Sequence, residues 1–300
     1  MISAVTYRPN SYPQNIKRNS SQNHNGSNVN FGSTHFSYVY KNGKRMECYT
    51  NFFRVDLHWE KLGQIFADTF KHKQKVQIIN GACSDGSETV SLVMALKESL
   101  PKKLWNKFLP IKAFDFCEDL IINAKRGEFE VDDSDIGKIN KYIINKYKYL
   151  KETFKPEQDF YLKPFGTTTI RAKNEVLSAI NFEQNDVFKV LEELQDDSNT
   201  IFMFRNALIH LGDDAAKKFA TLAGKKLKSG SLLIIGNTDK STTQIHDYLA
   251  GQNFKEIAKN IYKKCDPPST KKSIWETISG KVDKFLKKVF INDKPEYWQN

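Results

Sequence analysis

From residue 57 onward the chain alternates between two spacings of apolar residues. "DLHWEKLGQIFADTF" repeats them every three or four positions, as a helix does, whereas "KVQIIN" is one continuous apolar run, as in a strand buried on both faces. "SETVSLVMALKESL" returns to helical spacing and stops before Pro101; "IKAFDF" is a second strand, and "EDLIINAKRG" a helix with Gly127 as its C-cap. Residues 128–158 are charged and helix-prone. "DFYLKPFGTTTIRAK" has the pattern of a short hairpin. "EVLSAINFEQND" leads into a third strand, and "NTIFMFRN" is a fourth. "DDAAKKFATLAGKKLKSG" is a helix, acidic at its start and lysine-rich at its end as the helix dipole favours, and "SLLIIG" is a fifth strand. "NFKEIAKNIYKKC" closes the run as a pair of strands.

Short buried strands alternating with helices predict an α/β fold: a doubly wound, mostly parallel sheet with helices on both faces. The closing strand pair predicts an antiparallel edge, and the run near 158–174 a small antiparallel hairpin insertion. Upstream, "HFSYVYKNGKRMECYT" is two strand-like runs around an Asn-Gly turn. Residues 1–34, dominated by Asn, Ser, Gln and Gly, bury too little apolar surface to offset their ordering entropy and are expected to form a disordered arm. The main domain is expected over 35–266. After Pro267 and Pro268, "SIWETISGKVDKFLKKVFI" gathers its apolar residues on one helical stripe with lysines around it, so 267–300 is expected to be a basic amphipathic helix. It would dock on the body, or on a partner or acidic membrane surface.

The formal charge of +11 changes this picture less than its size suggests. Residues 1–45 hold six Lys/Arg and no Asp/Glu, and 240–300 hold twelve Lys and seven Asp/Glu, which leaves 46–239 at zero. A neutral body with basic ends argues against a nucleic-acid groove. The four cysteines, Cys48, Cys83, Cys117 and Cys265, form no Cys-x-x-Cys pair and no zinc-ligand spacing with histidine. They are expected to be reduced thiols, and no metal is expected. No apolar run reaches the roughly 20 residues of a membrane span, and no signal peptide stands at the N-terminus, so a cytoplasmic protein is expected.

In open α/β sheets ligands sit beyond the C-terminal strand ends. After the first strand comes Asn80-Gly81-Ala82-Cys83-Ser84-Asp85-Gly86, a tight turn without the glycine spacing of a dinucleotide loop or the lysine of a phosphate loop. After the second comes Asp115, suited to a ribose diol. After the third come Asn185 and Asp186, able to accept from an adenine amino group. After the fourth come Arg205 and Asn206. Together they describe a nucleoside pocket with no phosphate cradle, which fits S-adenosylmethionine.

These residues carry a resemblance. "GACSDGSE", "FDFCEDLIINAKRGEF", "FMFRNALIHL", "LKSGSLLIIGNTD" and the upstream "TNFFR" resemble, in that family's order, motifs of the CheR-type S-adenosylmethionine-dependent methyltransferases of chemotaxis receptors, over about residues 46–265. The resemblance implies a class I, Rossmann-like methyltransferase fold of seven strands and O-methylation of a glutamate carboxylate on a receptor-like protein. It places Thr50 and Arg54 between cofactor and substrate, and Gly81, Cys83 and Glu88 along the methionine side. Asp115 would bind ribose, Asp186 and Val187 would border adenine, and Arg205 and His210 would lie near methyl transfer. Arg54 is the first candidate to hold the acceptor carboxylate and Arg205 the second. The chain departs from the family at His210, where a Tyr is usual, and at Ser87 and Cys117, where acids are usual. The helical domain that precedes the family's core is not expected here, where the Asn/Ser-rich arm stands instead. A cofactor-binding module without turnover, or a methyltransferase for another acceptor, are the alternative readings.

Overall fold

The computed structural model describes residues 35–41, 44–152, 168–195 and 199–267. The expected arm and nearly all of the expected terminal helix lie outside these residues.

The first element is an antiparallel hairpin of β1 (His35–Lys41) and β2 (Lys44–Thr50), flanking the Asn-Gly dipeptide as its pattern predicts. Then α1 (Trp59–Thr69), β3 (Gln77–Gly81), α2 (Ser87–Ser99), the short α3 (Trp105–Phe108), β4 (Ile111–Asp115) and α4 (Glu118–Arg126) follow in turn. Gly127 ends α4 in the left-handed region (φ 63°), where a Cβ would stand 2.7 Å from the Leu177 side chain. Only glycine suits both demands.

A small antiparallel sheet comes next. It is built from β5 (Glu128–Val131) and β6 (Leu150–Glu152), both paired to β7 (Thr168–Ala172), with α5 (Asp133–Tyr142) between the first two. Two of its strands therefore lie inside the stretch expected to be helical. They are three and four residues long. Their alternation is confined to Phe129, Val131 and Leu150, too little apolar signal to stand out among charged neighbours. The first half of the expected 158–174 hairpin lies outside the described residues.

The chain then returns through α6 (Asn174–Leu177), β8 (Ile180–Gln184), α7 (Val187–Glu193), β9 (Thr200–Phe204), α8 (Leu208–Leu211) and α9 (Asp213–Lys226). It ends with β10 (Leu232–Ile235), α10 (Asn237–Thr242), α11 (Ile245–Gly251), β11 (Phe254–Ala258) and β12 (Ile261–Lys264).

The seven-stranded sheet runs in the order β11-β12-β10-β9-β3-β4-β8. The run β10-β9-β3-β4-β8 is parallel, and β12 is antiparallel to both of its neighbours. The antiparallel strand thus sits one place in from the edge, with β11 outside it. Successive strands leave β3 in opposite directions, β4 on one side and β9 on the other, so the topological switch point lies at the C-terminal end of β3.

Each face of the sheet has its own core. On one, Leu62 and Phe66 of α1 pack with Val93 and Leu96 of α2 over Ile78, Ile201 and Ile234. On the other, Val190 of α7, Phe219 of α9 and Leu249 of α11 cover Ile79, Phe202 and Leu233. Phe219 is fully buried and stacks on Phe204 at 5.0 Å between ring centroids. Phe219→Ala is expected to cost about 3–5 kcal/mol, read as a lowered urea midpoint at constant slope; a loss below about 1 kcal/mol would mean that the site collapses around the gap.

Candidate active site

Loop 80–86 leaves β3 through an unusual backbone: Ala82 (φ 52°), Ser84 (φ 53°) and Gly86 (φ 89°) all lie in the left-handed region. Two carboxylates hold it. Asp115, at the end of β4, accepts from Ser84 N–H through Oδ2 and from Cys117 N–H through Oδ1, both at 2.9 Å. Asp85 Oδ1 accepts from Ser87 N–H at 2.9 Å at the start of α2. Burial pushes the Asp115 carboxyl above its ordinary range, against the pull of these N–H groups. Phe116, next along, is 65% exposed. Asp115 O accepts from Asn185 N–H at 3.0 Å, which brings the β8 exit alongside. There Asp186 caps α7, its Oδ1 accepting from Phe188 and Lys189 N–H, while Val187 is packed into the second core.

Within this loop the open positions are Ala82 and Ser84. Cys83, expected along the methionine side, is 1% exposed and packs into the first core. Burial, and then the negative charges of Asp115, Asp85 and Glu88, raise its thiol well above the usual range, so it is a neutral packing group. Gly81 has a structural reason of its own: a Cβ there would stand 2.6 Å from the Phe114 ring and 3.0 Å from Phe204.

Across the switch point, Arg205 emerges from β9 into complete burial. Its Nη1 donates to Glu88 Oε2 at 2.7 Å and its Nη2 to Asp56 Oδ1, and the guanidinium lies 5.6 Å from the Trp59 ring centroid. Burial opposes its charge, but Glu88 and Asp56 outweigh burial and hold it above its ordinary value. The expectation that Arg205 grips an incoming carboxylate does not match this geometry, because both terminal nitrogens are already taken. Glu88, expected to contact the cofactor, is likewise 6% exposed and spent on Arg205.

The bridge fastens segment 50–56 over the start of α2. Thr50 Oγ1 is 2.8 Å from Ser87 Oγ, and Phe53 N–H donates to Ser91 Oγ at 3.1 Å from a left-handed backbone (φ 45°). Asp56 reaches onward: Oδ2 accepts from Asn237 N–H at 3.1 Å, and its carbonyl from Asn260 Nδ2 at 2.7 Å. Burial raises its carboxyl, but Arg205, Asn237 N–H and Arg54 lower it more. Arg54 is half-buried within this segment, with Trp59 Nε1 donating to its carbonyl at 2.9 Å. Arg54 lies close enough to His210 for its charge, after burial, to lower the His210 pKa. Thr50, Arg54, Glu88, Arg205 and His210 thus gather on one side of the switch point, and Ser84, Asp115 and Asp186 on the other.

Three contributors escaped the sequence reading: Asp56, Trp59 and Asp239. Asp239, fully buried on α10, accepts from the N–H groups of Asn206 (2.5 Å), Ile209 (3.1 Å) and Gly236 (3.3 Å). It pins the loop after β9, and with it His210. Asn206 Oδ1 in turn accepts from Thr238 Oγ1 at 2.8 Å. The only available signal was an acid four residues beyond the β10 apolar run, which reads equally well as a helix-start residue.

The crevice suits a nucleoside without phosphate. Ser84 Oγ is buried beside Asp115 with no hydrogen-bond partner among the described residues. A bound hydroxyl or carboxylate would satisfy it. Among the described residues no group of three or more His, Cys, Asp or Glu is placed to hold a metal, and no helix is long and apolar enough to cross a membrane. A separate groove of about 870 Å³, lined by residues including Val76, Lys112 and Glu183, lies toward the opposite ends of the strands.

Comparison with known proteins bears on this geometry. The family described as CheR methyltransferase, SAM binding domain, matches residues 49–253. A chemotaxis protein methyltransferase of Borreliella burgdorferi is 23% identical over 222 residues, covering 72% of this chain and 70% of that protein. Among solved structures, an S-adenosyl-L-methionine-dependent methyltransferase from Methanococcus maripaludis is 12% identical (TM-score 0.37), covering 70% of this chain and 87% of its own. The DszA carbon methyltransferase is also 12% identical (TM-score 0.34), with 59% of this chain covered and 33% of that one. The chain therefore spans about a third of the length of that second structure.

The Asp239 carboxyl is pushed up to about 6 by burial, despite the N–H groups that favour its charge. The folded state therefore takes up this proton near pH 6, the unfolded chain near 4. The group's contribution to stability rises as pH falls through that window and is lost as pH climbs back. Measured against Asp239→Asn, the wild-type protein should gain stability on acidification from pH 6 to 4; a pH-independent difference would place that proton elsewhere.

Proposed function

The chain belongs to the CheR methyltransferase family, and from that premise we propose that it methylates a glutamate carboxylate of a protein substrate. S-adenosylmethionine is its cofactor; when bound, it supplies an electrophilic methyl group on a sulfonium. Asp115 accepts from the ribose hydroxyls, Ser84 offers its Oγ and the loop backbone beside them, and Asp186 with Val187 borders the adenine. Phe116, exposed immediately after Asp115, offers an apolar face to the same base. Gly81, Cys83 and Glu88 shape the loop from behind.

The observation that carries the acceptor side is the placement of Arg54. It stands on a segment locked by Asp56 and Thr50 and within electrostatic reach of His210. A guanidinium there holds an acceptor carboxylate and fixes its direction of approach. The carboxylate is already ionised at neutral pH, so no base is needed. Orientation and exclusion of water are what the site contributes. Arg205 acts through Asp56 and Glu88, keeping the acceptor and cofactor sides in register.

His210 supports a second reading. Burial and Arg54 keep its imidazole neutral at pH 7, where it can accept a proton from a hydroxyl or amine acceptor. A cell extract incubated with labelled S-adenosylmethionine separates the two: label on protein released by mild base marks an ester, and base-stable label marks a methylated hydroxyl or amine. Binding without any transfer would leave only a cofactor-binding module.

Arg54→Ala is expected to lower turnover at least roughly a hundredfold with S-adenosylhomocysteine affinity changed less than about threefold. The converse pattern would move Arg54 to the cofactor side. Asp115→Ala is expected to weaken S-adenosylhomocysteine binding by roughly tenfold or more in calorimetry, since the ribose hydroxyls lose a charged acceptor. Unchanged affinity in a folded variant would remove Asp115 from the ribose site.

A further inference from the structure

Ten residues beyond the start of α2, about 15 Å along its axis, lies a surface that the catalytic crevice does not use. Lys97 of α2 places Nζ 4.8 Å from the Trp105 ring centroid, and Lys148 approaches the same ring at 5.9 Å. Lys102 stands on the turn between α2 and α3. Burial depresses the Lys97 pKa against the opposing pull of Glu175, and the charges of Lys148 and then Lys102 add to the depression. Two ammonium groups over one half-buried indole, with a third close enough for its charge to act on Lys97, repel one another, and an anion laid across them relieves that repulsion.

Beside the lysines the surface projects apolar groups. Ile144 is 95% exposed and Tyr147 is 57% exposed. Both belong to the same patch: Ile144 N–H donates to Glu98 Oε1 at 3.3 Å, and Tyr147 precedes Lys148 on the turn Lys146–Lys148. Two of the acids here are engaged: Glu98 accepts from Ile144 N–H and from Tyr149 Oη at 3.0 Å, and Glu152 pairs with Lys146 at 3.2 Å. The charge of Glu175 acts on Lys97, whose Nζ donates to the Glu175 backbone carbonyl at 2.8 Å.

We propose that this face, built around Trp105 with Lys97, Lys102, Lys148, Ile144 and Tyr147, docks the protein on an acidic lipid surface. Basic groups meet the anionic headgroups, while the isoleucine and the aromatic rings enter the interface, where amphipathic rings are favoured. A polyanion such as RNA would use the lysines but gives no role to a fully projecting isoleucine. The crevice opens at the other end of α2, so docking leaves it accessible.

The test is flotation of the full chain with vesicles of phosphatidylcholine mixed with phosphatidylglycerol, against phosphatidylcholine alone. Binding is expected only to the acidic vesicles and should weaken as salt rises. Lys102→Glu with Lys148→Glu is expected to reduce it by at least roughly thirtyfold. Ile144→Asp should reduce it by roughly tenfold. Unchanged S-adenosylhomocysteine affinity reports that each variant is folded; should the double variant lose it, Ile144→Asp, at an exposed position, decides alone. The proposal is overturned if the parent does not float, or if Ile144→Asp floats like the parent, which would put the contact elsewhere on the chain. Retention of RNA or polyglutamate through these lysines, without vesicle binding, would also overturn it.

Discussion

The bridge Asp56–Arg205–Glu88 is the contact on which the rest of the site depends. It joins three segments far apart in sequence: the strap before α1, the start of α2, and the exit of β9. A buried guanidinium between two carboxylates is poor evidence of net stability, because desolvation consumes most of the attraction. Its value is positional. Removing either acid would leave charge uncompensated in the interior, so the strap and helix are held in one arrangement. Arg205 Nε has no partner among the described residues, so the arginine is committed through its terminal nitrogens alone.

Around that bridge, backbone N–H groups rather than side chains carry most of the load. Asp115 holds Ser84 and Cys117, Asp239 holds Asn206, Ile209 and Gly236, and Asp56 holds Asn237. Left-handed residues Phe53, Ala82, Ser84 and Asn206 cluster at the same strand ends, where strained loops are held by the rigid sheet beneath them. Each acid fixes a turn whose geometry no local preference would select. A crevice assembled in this way is preorganised: the loops do not need to order when cofactor arrives.

The sequence revealed the strands in proportion to how buried they are. The apolar runs of β3, β9 and β10 have no competing period, so the parallel sheet and its closing strand pair were plain. The strands β5 and β6 were not, because a few apolar positions cannot outweigh charged neighbours. Asp115 could be singled out because an acid at a strand exit has few local duties. Asp56 and Asp239 could not, because their partners are backbone N–H groups and an arginine up to 181 residues away. Arg205 was found, but its position at a strand mouth predicts only proximity to the crevice, whereas its availability depends on which acids fold onto it. Cys83 and Gly81 show the same limit, since one packs inward and the other yields space to Phe114.

The separation of these duties explains how the chain tolerates its departures from the family pattern. With Arg205 and Glu88 committed to each other, the residue before Glu88 needs only to meet Thr50, and a serine hydroxyl does so at 2.8 Å. An additional carboxylate in that place would introduce a negative charge beside Glu88 with Arg205 already neutralised by two acids. At position 117 the backbone N–H, not the side chain, is what Asp115 uses, so a buried cysteine serves. At position 210 the group stands at the exposed end of α8, under the influence of Arg54. The first two changes are therefore absorbed by packing, and the third is the one that stands beside the proposed acceptor position. If the acceptor chemistry of this chain has diverged, the divergence resides in the pairing of Arg54 with His210.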